Sequence, residues 1–297
     1  MRALSLAKNG SKIEALYEVT QAIDCRPDYI EALKFRASLY NESRSHSHAI
    51  KDLSQVLELT PADAETFKLR GATYSIINEI DAAISDYIAA LSIKNDAETH
   101  SLLGAAYLTK GQYQEAKANL YVAMNEDAAN PQYCLSYAES CFLVREYEET
   151  VEYCSKAILS EVVSLELAFF YRACARYFQG DFDGSIVDFS KSIELNPTMA
   201  SSFANRADAY NRLGKFEEAL EDCSTAISIQ PEFGEPFFHR AVALDKLERI
   251  EEAVVDYSMF LKFSEKDFTL AHDEERARNI QIAKTRIAEI NRSVSST

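Results

Sequence analysis

Apolar residues recur along most of this chain at the three-and-four spacing of amphipathic helices, and the helices they predict come in pairs. The clearest pair runs from Met199 to Pro231. Its first segment places Phe203, Ala207 and Tyr210 on one face, and its second places Phe216, Ala219, Leu220, Cys223, Ala226 and Ile227 on another. A Leu213-Gly214 break separates them. Gly214 supplies a left-handed residue to end the first helix, and Pro231, which lacks an amide hydrogen, stops the second. The predicted element is a helical hairpin.

Laid along the whole chain, the frame of this hairpin finds a small residue at its eighth position in every copy: Ala3, Ala37, Gly71, Gly104, Ala138, Ala173, Ala207 and Ala241. Successive spacings are 34, 34, 33, 34, 35, 34 and 34 residues. Twelve residues after each stands a second small residue: Ala15, Ala49, Ala83, Ala116, Thr150, Ser185, Ala219 and Ala253. Small side chains are required where the two helices of a hairpin cross, because only they let the axes approach to ~8 Å. A closing proline appears as Pro27, Pro61, Pro197 and Pro231.

This pattern resembles the tetratricopeptide repeat. The resemblance covers nearly the whole chain and implies an all-α fold: a right-handed α-solenoid of stacked helix-turn-helix hairpins with a C-terminal capping helix. The expected organisation is an incomplete copy at 1–29, as in a fragment of a longer array, and seven repeats at 30–63, 64–96, 97–130, 131–165, 166–199, 200–233 and 234–267. A capping helix and tail follow at 268–297. The third and fourth copies depart most from the pattern, and a local change of pitch is expected there. In the last segment Ala277, Ile280, Ala283, Ile287 and Ile290 form the apolar stripe of a helix that covers the end of an array. A coiled-coil seam is the alternative, but the stripe is only about two heptads long.

Position seven of the frame is arginine in five full repeats: Arg36, Arg70, Arg172, Arg206 and Arg240. The same five carry aspartate at position twenty-three: Asp52, Asp86, Asp188, Asp222 and Asp256. The two repeats with Leu103 and Tyr137 at position seven have Asn119 and Tyr153 instead of the acid, and the incomplete copy has Arg2 and Glu18. Both positions face each other across an antiparallel hairpin. A ladder of structural Arg-Asp bridges is therefore expected.

Charge and composition narrow the function. A net charge of −16 argues against nucleic acid, whose binding draws on clustered Lys and Arg, and favours a basic, neutral or apolar protein partner. No run of apolar residues is long enough to insert in a membrane, and no signal-peptide core opens the chain, so a cytoplasmic location is expected. Cys25, Cys134, Cys141, Cys154, Cys174 and Cys223 are spread singly, which fits reduced thiols better than a metal or disulfide framework. The sequons at Asn9, Asn41 and Asn291 are read as chance.

No phosphate loop, nucleophile elbow or metal-spaced histidine pair is present. His46 and His48 flank a turn, and His272-Asp273-Glu274-Glu275 opens the last helix, where acids suit the helix dipole. No catalytic residue, metal site or cofactor is expected.

The resemblance places partners on a concave face built from the first helices. Those positions give Leu135, Phe142 and Leu143 in the fourth repeat, Phe170, Tyr171, Tyr177 and Phe178 in the fifth, and Asn205, Asp208, Asn211 and Arg212 in the sixth. Exposed aromatic side chains of this kind anchor extended peptides or inserted helices. The carboxylate clamp of chaperone-binding members is not matched: Lys34 fits, but Ser38, Leu69, Glu98 and Leu102 replace the rest. The expected function is thus a non-enzymatic scaffold or adaptor holding a partner segment on repeats four to six. The alternatives are an assembly module that self-associates through its terminal helices, a co-chaperone-like protein without the clamp, and the regulatory arm of an enzyme.

Overall fold

The computed structural model describes residues 3, 6, 7, 9–161, 163–264 and 273–294. Arg2 and His272, named above, lie outside them, as do the side chains of Asp273 and Glu274. Sixteen helices and no strand are present among the described residues. They fall into two compact units, residues 1–136 and 137–297.

The first unit contains α1 (Lys12–Cys25), α2 (Ile30–Glu42), α3 (His46–Leu59), α4 (Ala64–Ile76), α5 (Ile80–Ile93), α6 (Ala97–Lys110) and α7 (Tyr113–Glu126). Helix α8 (Pro131–Leu143) carries the division between the units. The second unit continues with α9 (Tyr147–Leu159), α10 (Leu165–Phe178), α11 (Phe182–Leu195), α12 (Ala200–Arg212), α13 (Phe216–Ile229), α14 (Glu235–Lys246), α15 (Ile250–Ser264) and α16 (Asp273–Val294).

Hairpin geometry follows from two recurrent devices. The first helix of each pair stops at a left-handed residue, and these are Gly10, Arg44, Asn78, Gly111, Arg145, Gly180, Gly214 and Glu248. Their spacing repeats that of the small position seven residues earlier. Where the helices cross, Ala37, Ala49, Ala83, Ala116, Ala138, Ala173, Ala207, Ala219, Ala241 and Ala253 are buried almost completely. Glycine is required at two crossings: a Cβ on Gly71 would lie 2.8 Å from the Tyr87 ring, and one on Gly104 would lie 2.6 Å from Leu120. Two first helices gain a cap as well, with Asp63 accepting from the Thr66 amide and Asp96 from the Thr99 amide.

All five expected Arg-Asp rungs form, each bidentate. Arg36, Arg70, Arg172, Arg206 and Arg240 reach Asp52, Asp86, Asp188, Asp222 and Asp256 through Nε and Nη2 at 2.6–2.9 Å. The remaining Nη1 of each donates to a hydroxyl on the preceding hairpin: Thr20, Ser54, Ser155, Ser190 and Ser224 in turn. Aromatic rings three residues before or four residues after flank the guanidiniums, as Phe203 and Tyr210 do for Arg206 at 5.7 and 5.8 Å. In the fourth hairpin Tyr137 and Tyr153 meet edge to face at 4.8 Å in place of a rung. In the third, Asn119 bonds His100 at 2.9 Å.

Helix α16 covers the last hairpin. Ala283 is fully buried in a cluster with Phe237, Phe238, Leu244, Tyr257 and Phe260, with Ile280 and Ile287 packed on it. Arg286 clasps Asp245 of α14 through two bonds of 2.7 and 2.8 Å. Ala277, expected in the same stripe, is exposed. At 22 residues, α16 is about 33 Å long and outreaches every other helix described. Its first turns therefore extend past the covering contacts.

Candidate functional site

In the second unit, the first helices α10, α12 and α14 lie side by side, and the aromatic residues gather at their C-terminal ends. Phe142 closes the end of α8 and Phe178 the end of α10, while Tyr147 and Phe182 open α9 and α11 just across the two turns. Tyr147 and Phe178 stack with ring centres 5.0 Å apart and planes 9° apart. Phe142 completes the group at 6.0 Å from Tyr147 and 6.1 Å from Phe178. Tyr177 joins by its edge, 5.4 Å from Phe178 and 5.3 Å from Phe182. Phe178 remains 41% exposed, so one edge of this aromatic group stands open to solvent.

Two adjoining cavities meet at this wall. The larger, about 580 Å³, is lined by Phe142, Leu143, Tyr147, Tyr177, Phe178 and Phe182, with Arg145, Arg212, Glu275 and Arg278 at its polar side. The smaller, about 260 Å³, runs deeper past Phe170, Cys174 and Phe189 to Asn205, Asp208 and His239. Glu275, Arg276 and Asn279 of α16 close it.

The floor between them is a charged network. Asp208 accepts from the Tyr177 hydroxyl, lies 3.4 Å from His239 Nδ1 and 3.8 Å from Arg212 Nε. Burial pushes the Asp208 carboxyl up, yet the His239 charge, the Tyr177 hydroxyl and Arg212 outweigh it and hold the carboxyl at about 2. Burial works against charge on His239, but Asp208 with Glu235 and Glu275 raises its pKa above the ordinary value. Arg212 Nε also donates to Tyr177 at 2.9 Å. Burial pushes the Tyr177 hydroxyl well up, so it remains a donor at neutral pH.

Five expected contacts, Phe142, Leu143, Tyr177, Phe178 and Arg212, line the larger cavity. Phe170, Asn205 and Asp208 line the smaller. The others are drawn inward. Leu135 is only 2% exposed and belongs to the packed interior. Tyr171 sits behind the wall with its hydroxyl donated to Glu139 at 2.5 Å. Asn211 donates to the His239 carbonyl at 2.8 Å and so ties consecutive first helices together. Sequence reasoning did not place Arg145, Tyr147 and Phe182 at the site, since they stand in turns or on second helices, nor Glu275, Arg276, Arg278 and Asn279 of α16. Tyr147 and Phe182 both occupy position seventeen of the repeat frame, a recurrence that could have marked them.

The tetratricopeptide repeat family profile matches residues 200–233, the hairpin of α12 and α13. The same crossing residues, left-handed stop and arginine rung recur in its neighbours. Residues 200–233 form a tetratricopeptide repeat, and the chain has the fold of tetratricopeptide repeat proteins.

Solved structures share its fold. A tetratricopeptide repeat protein from Parabacteroides merdae is 16% identical, with a TM-score of 0.67 over 86% of this chain and 98% of that one. Cut9 with Hcn1, from an anaphase-promoting-complex hetero-tetramer, is 13% identical at a TM-score of 0.63, over 95% of this chain and 54% of that one. YrrB, described as a tetratricopeptide repeat protein with an unusual peptide-binding site, is 22% identical at 0.53, over 66% and 97%. No curated protein matches the sequence.

Cys141, Glu146 and Glu149 bring donor atoms within 4.8 Å of one another. Glu149 already accepts from Tyr137 at 2.7 Å and from the Cys141 thiol at 3.5 Å. Burial pushes the Cys154 thiol up to about 12, far from a reactive thiolate at neutral pH. No helix among the described residues is long and apolar enough to cross a membrane.

Proposed function

We propose that this chain is a non-enzymatic scaffold or adaptor that captures a segment of a partner protein on the face formed by the first helices of its fourth to sixth repeats. One observation carries the reading: the stacked, partly exposed rings of Phe178, Tyr147 and Phe142 beside a cavity of about 580 Å³. Rigid aromatic anchors in a preformed cavity concentrate binding energy in few residues, because little side-chain entropy is lost on contact. The polar residues Asn205, Asp208 and Arg212 border the wall and fix orientation. YrrB, named for a peptide-binding site, is a precedent within the same fold. The net charge of −16 argues against nucleic acid as the partner, and singly spread cysteines suit a reducing, cytoplasmic compartment.

Panning a random peptide library against the purified protein tests this reading. Enriched sequences should share bulky apolar positions and should be lost when Phe142→Ala and Phe178→Ala are combined. Enrichment that survives the double variant would move the site elsewhere.

A further inference from the structure

The chain as a whole is strongly acidic, yet the aromatic cavity of the second unit is rimmed by three guanidiniums, Arg145, Arg212 and Arg278, against one carboxylate, Glu275. Arg145 and Arg278 are exposed and take part in no ion pair among the described residues. Arg145 is held at φ 66 in the turn after α8, which projects it from the body of the helix. Arg212, on the last turn of α12, lies over the Tyr177 ring at 5.7 Å, so its charge stands directly at the aromatic wall. Asp208 lies behind it and is already satisfied by Tyr177 and His239. None of the three arginines occupies a repeat position of the carboxylate clamp.

Glu275 supplies the second observation. It lines both cavities and interacts electrostatically with Arg212, His239 and Tyr147. The chain thus presents one of its own carboxylates, from the overhanging first turns of α16, to the cationic rim. That arrangement is the one an incoming acid would have to share or replace.

Resting on the reading that this face binds a protein segment, we infer that the segment is acidic and apolar together. A bulky apolar side chain enters between Phe142, Tyr147 and Phe178, and a neighbouring carboxylate pairs with Arg145, Arg212 and Arg278. The local field, rather than the net charge of −16, selects the partner, because screening confines charge effects to about 10 Å at ordinary salt. This reverses the sign of partner that the overall composition suggests.

Three blocked hexapeptides alternating phenylalanine or leucine with glutamate, glutamine or lysine test the inference by isothermal titration calorimetry with the full chain. The glutamate peptide should bind most tightly and weaken as salt is raised. Its affinity should fall about two- to fivefold for each of Arg145→Asn and Arg278→Gln, the strength of an exposed ion pair. Glu275→Gln should raise it by a similar factor. Equal affinity for the glutamine peptide, still lost with Phe178→Ala, would overturn the acidic partner and leave the groove reading standing. Tightest binding of the lysine peptide would do the same. No binding of any peptide would overturn both.

Discussion

Removing Asp222 leaves Arg206 as an uncompensated buried charge. The Arg206 side chain is 17% exposed and that of Asp222 9%, and the two share bonds of 2.7 and 2.7 Å. Breaking a buried pair by deleting one partner costs several kcal/mol. Here Ser190 still accepts from Nη1 at 2.8 Å and the rings of Phe203 and Tyr210 still flank the guanidinium, so the loss for Asp222→Ala should sit at the lower end, about 3 kcal/mol. Arg206→Leu with Asp222→Ala leaves no stranded charge and should cost about 1 kcal/mol. The neighbouring thiol of Cys223, fully buried in the parent, reports opening of this hairpin directly. Its labelling, resolved by mass spectrometry, should accelerate roughly 100-fold in the single variant and under about tenfold in the double. Identical labelling rates in both variants would refute the rung as a coupled pair.

Other expectations follow from the same geometry. Gly71→Ala pushes a Cβ to 2.8 Å from the Tyr87 ring and should destabilise by about 1–3 kcal/mol, whereas Gly111→Ala meets open space and only the strain of φ 77, about 1–2 kcal/mol; thermal unfolding of each variant compares them. Because the Asp208 carboxyl is held at about 2, below its unfolded value, its contribution is present above about pH 4 and is lost as the pH falls toward 2. His239, raised above 6.5, contributes below that value and loses its contribution as the pH rises through its folded pKa. Urea midpoints measured against pH should therefore fall below pH 4 in the parent and flatten there in Asp208→Asn. Phe178→Ala removes a ring that is 41% exposed, so stability should change by less than about 1 kcal/mol while affinity for the selected peptides falls about tenfold or more. A matching loss of stability would mean the ring is structural.

The rungs were legible because arginine and aspartate vary together among copies of one chain, and charge pairs leave such a trace. The hydroxyl that completes each rung left one too. Thr20, Ser54, Ser155, Ser190 and Ser224 stand before repeats that carry the arginine, while Ile88 and Tyr121 stand before Leu103 and Tyr137. That signal joins consecutive repeats and is invisible when each hairpin is considered alone. The aromatic wall was legible as a cluster of positions on first helices. Depth was not, since a position in the frame fixes a face but not how far Leu135 or Tyr171 sinks behind it. The part played by α16 was hidden for a different reason: its apolar stripe specifies what it covers, while Glu275, Arg276 and Arg278 act from turns that lie beyond that stripe.

Hydrogen exchange with and without a library-selected peptide tests the central claim most directly. The account predicts slowed exchange at the C-terminal turns of α8, α10 and α12, at the turn through Arg145, and at the first turns of α16. Protection confined to the second helices α9, α11 and α13, or to residues 1–136, would contradict it.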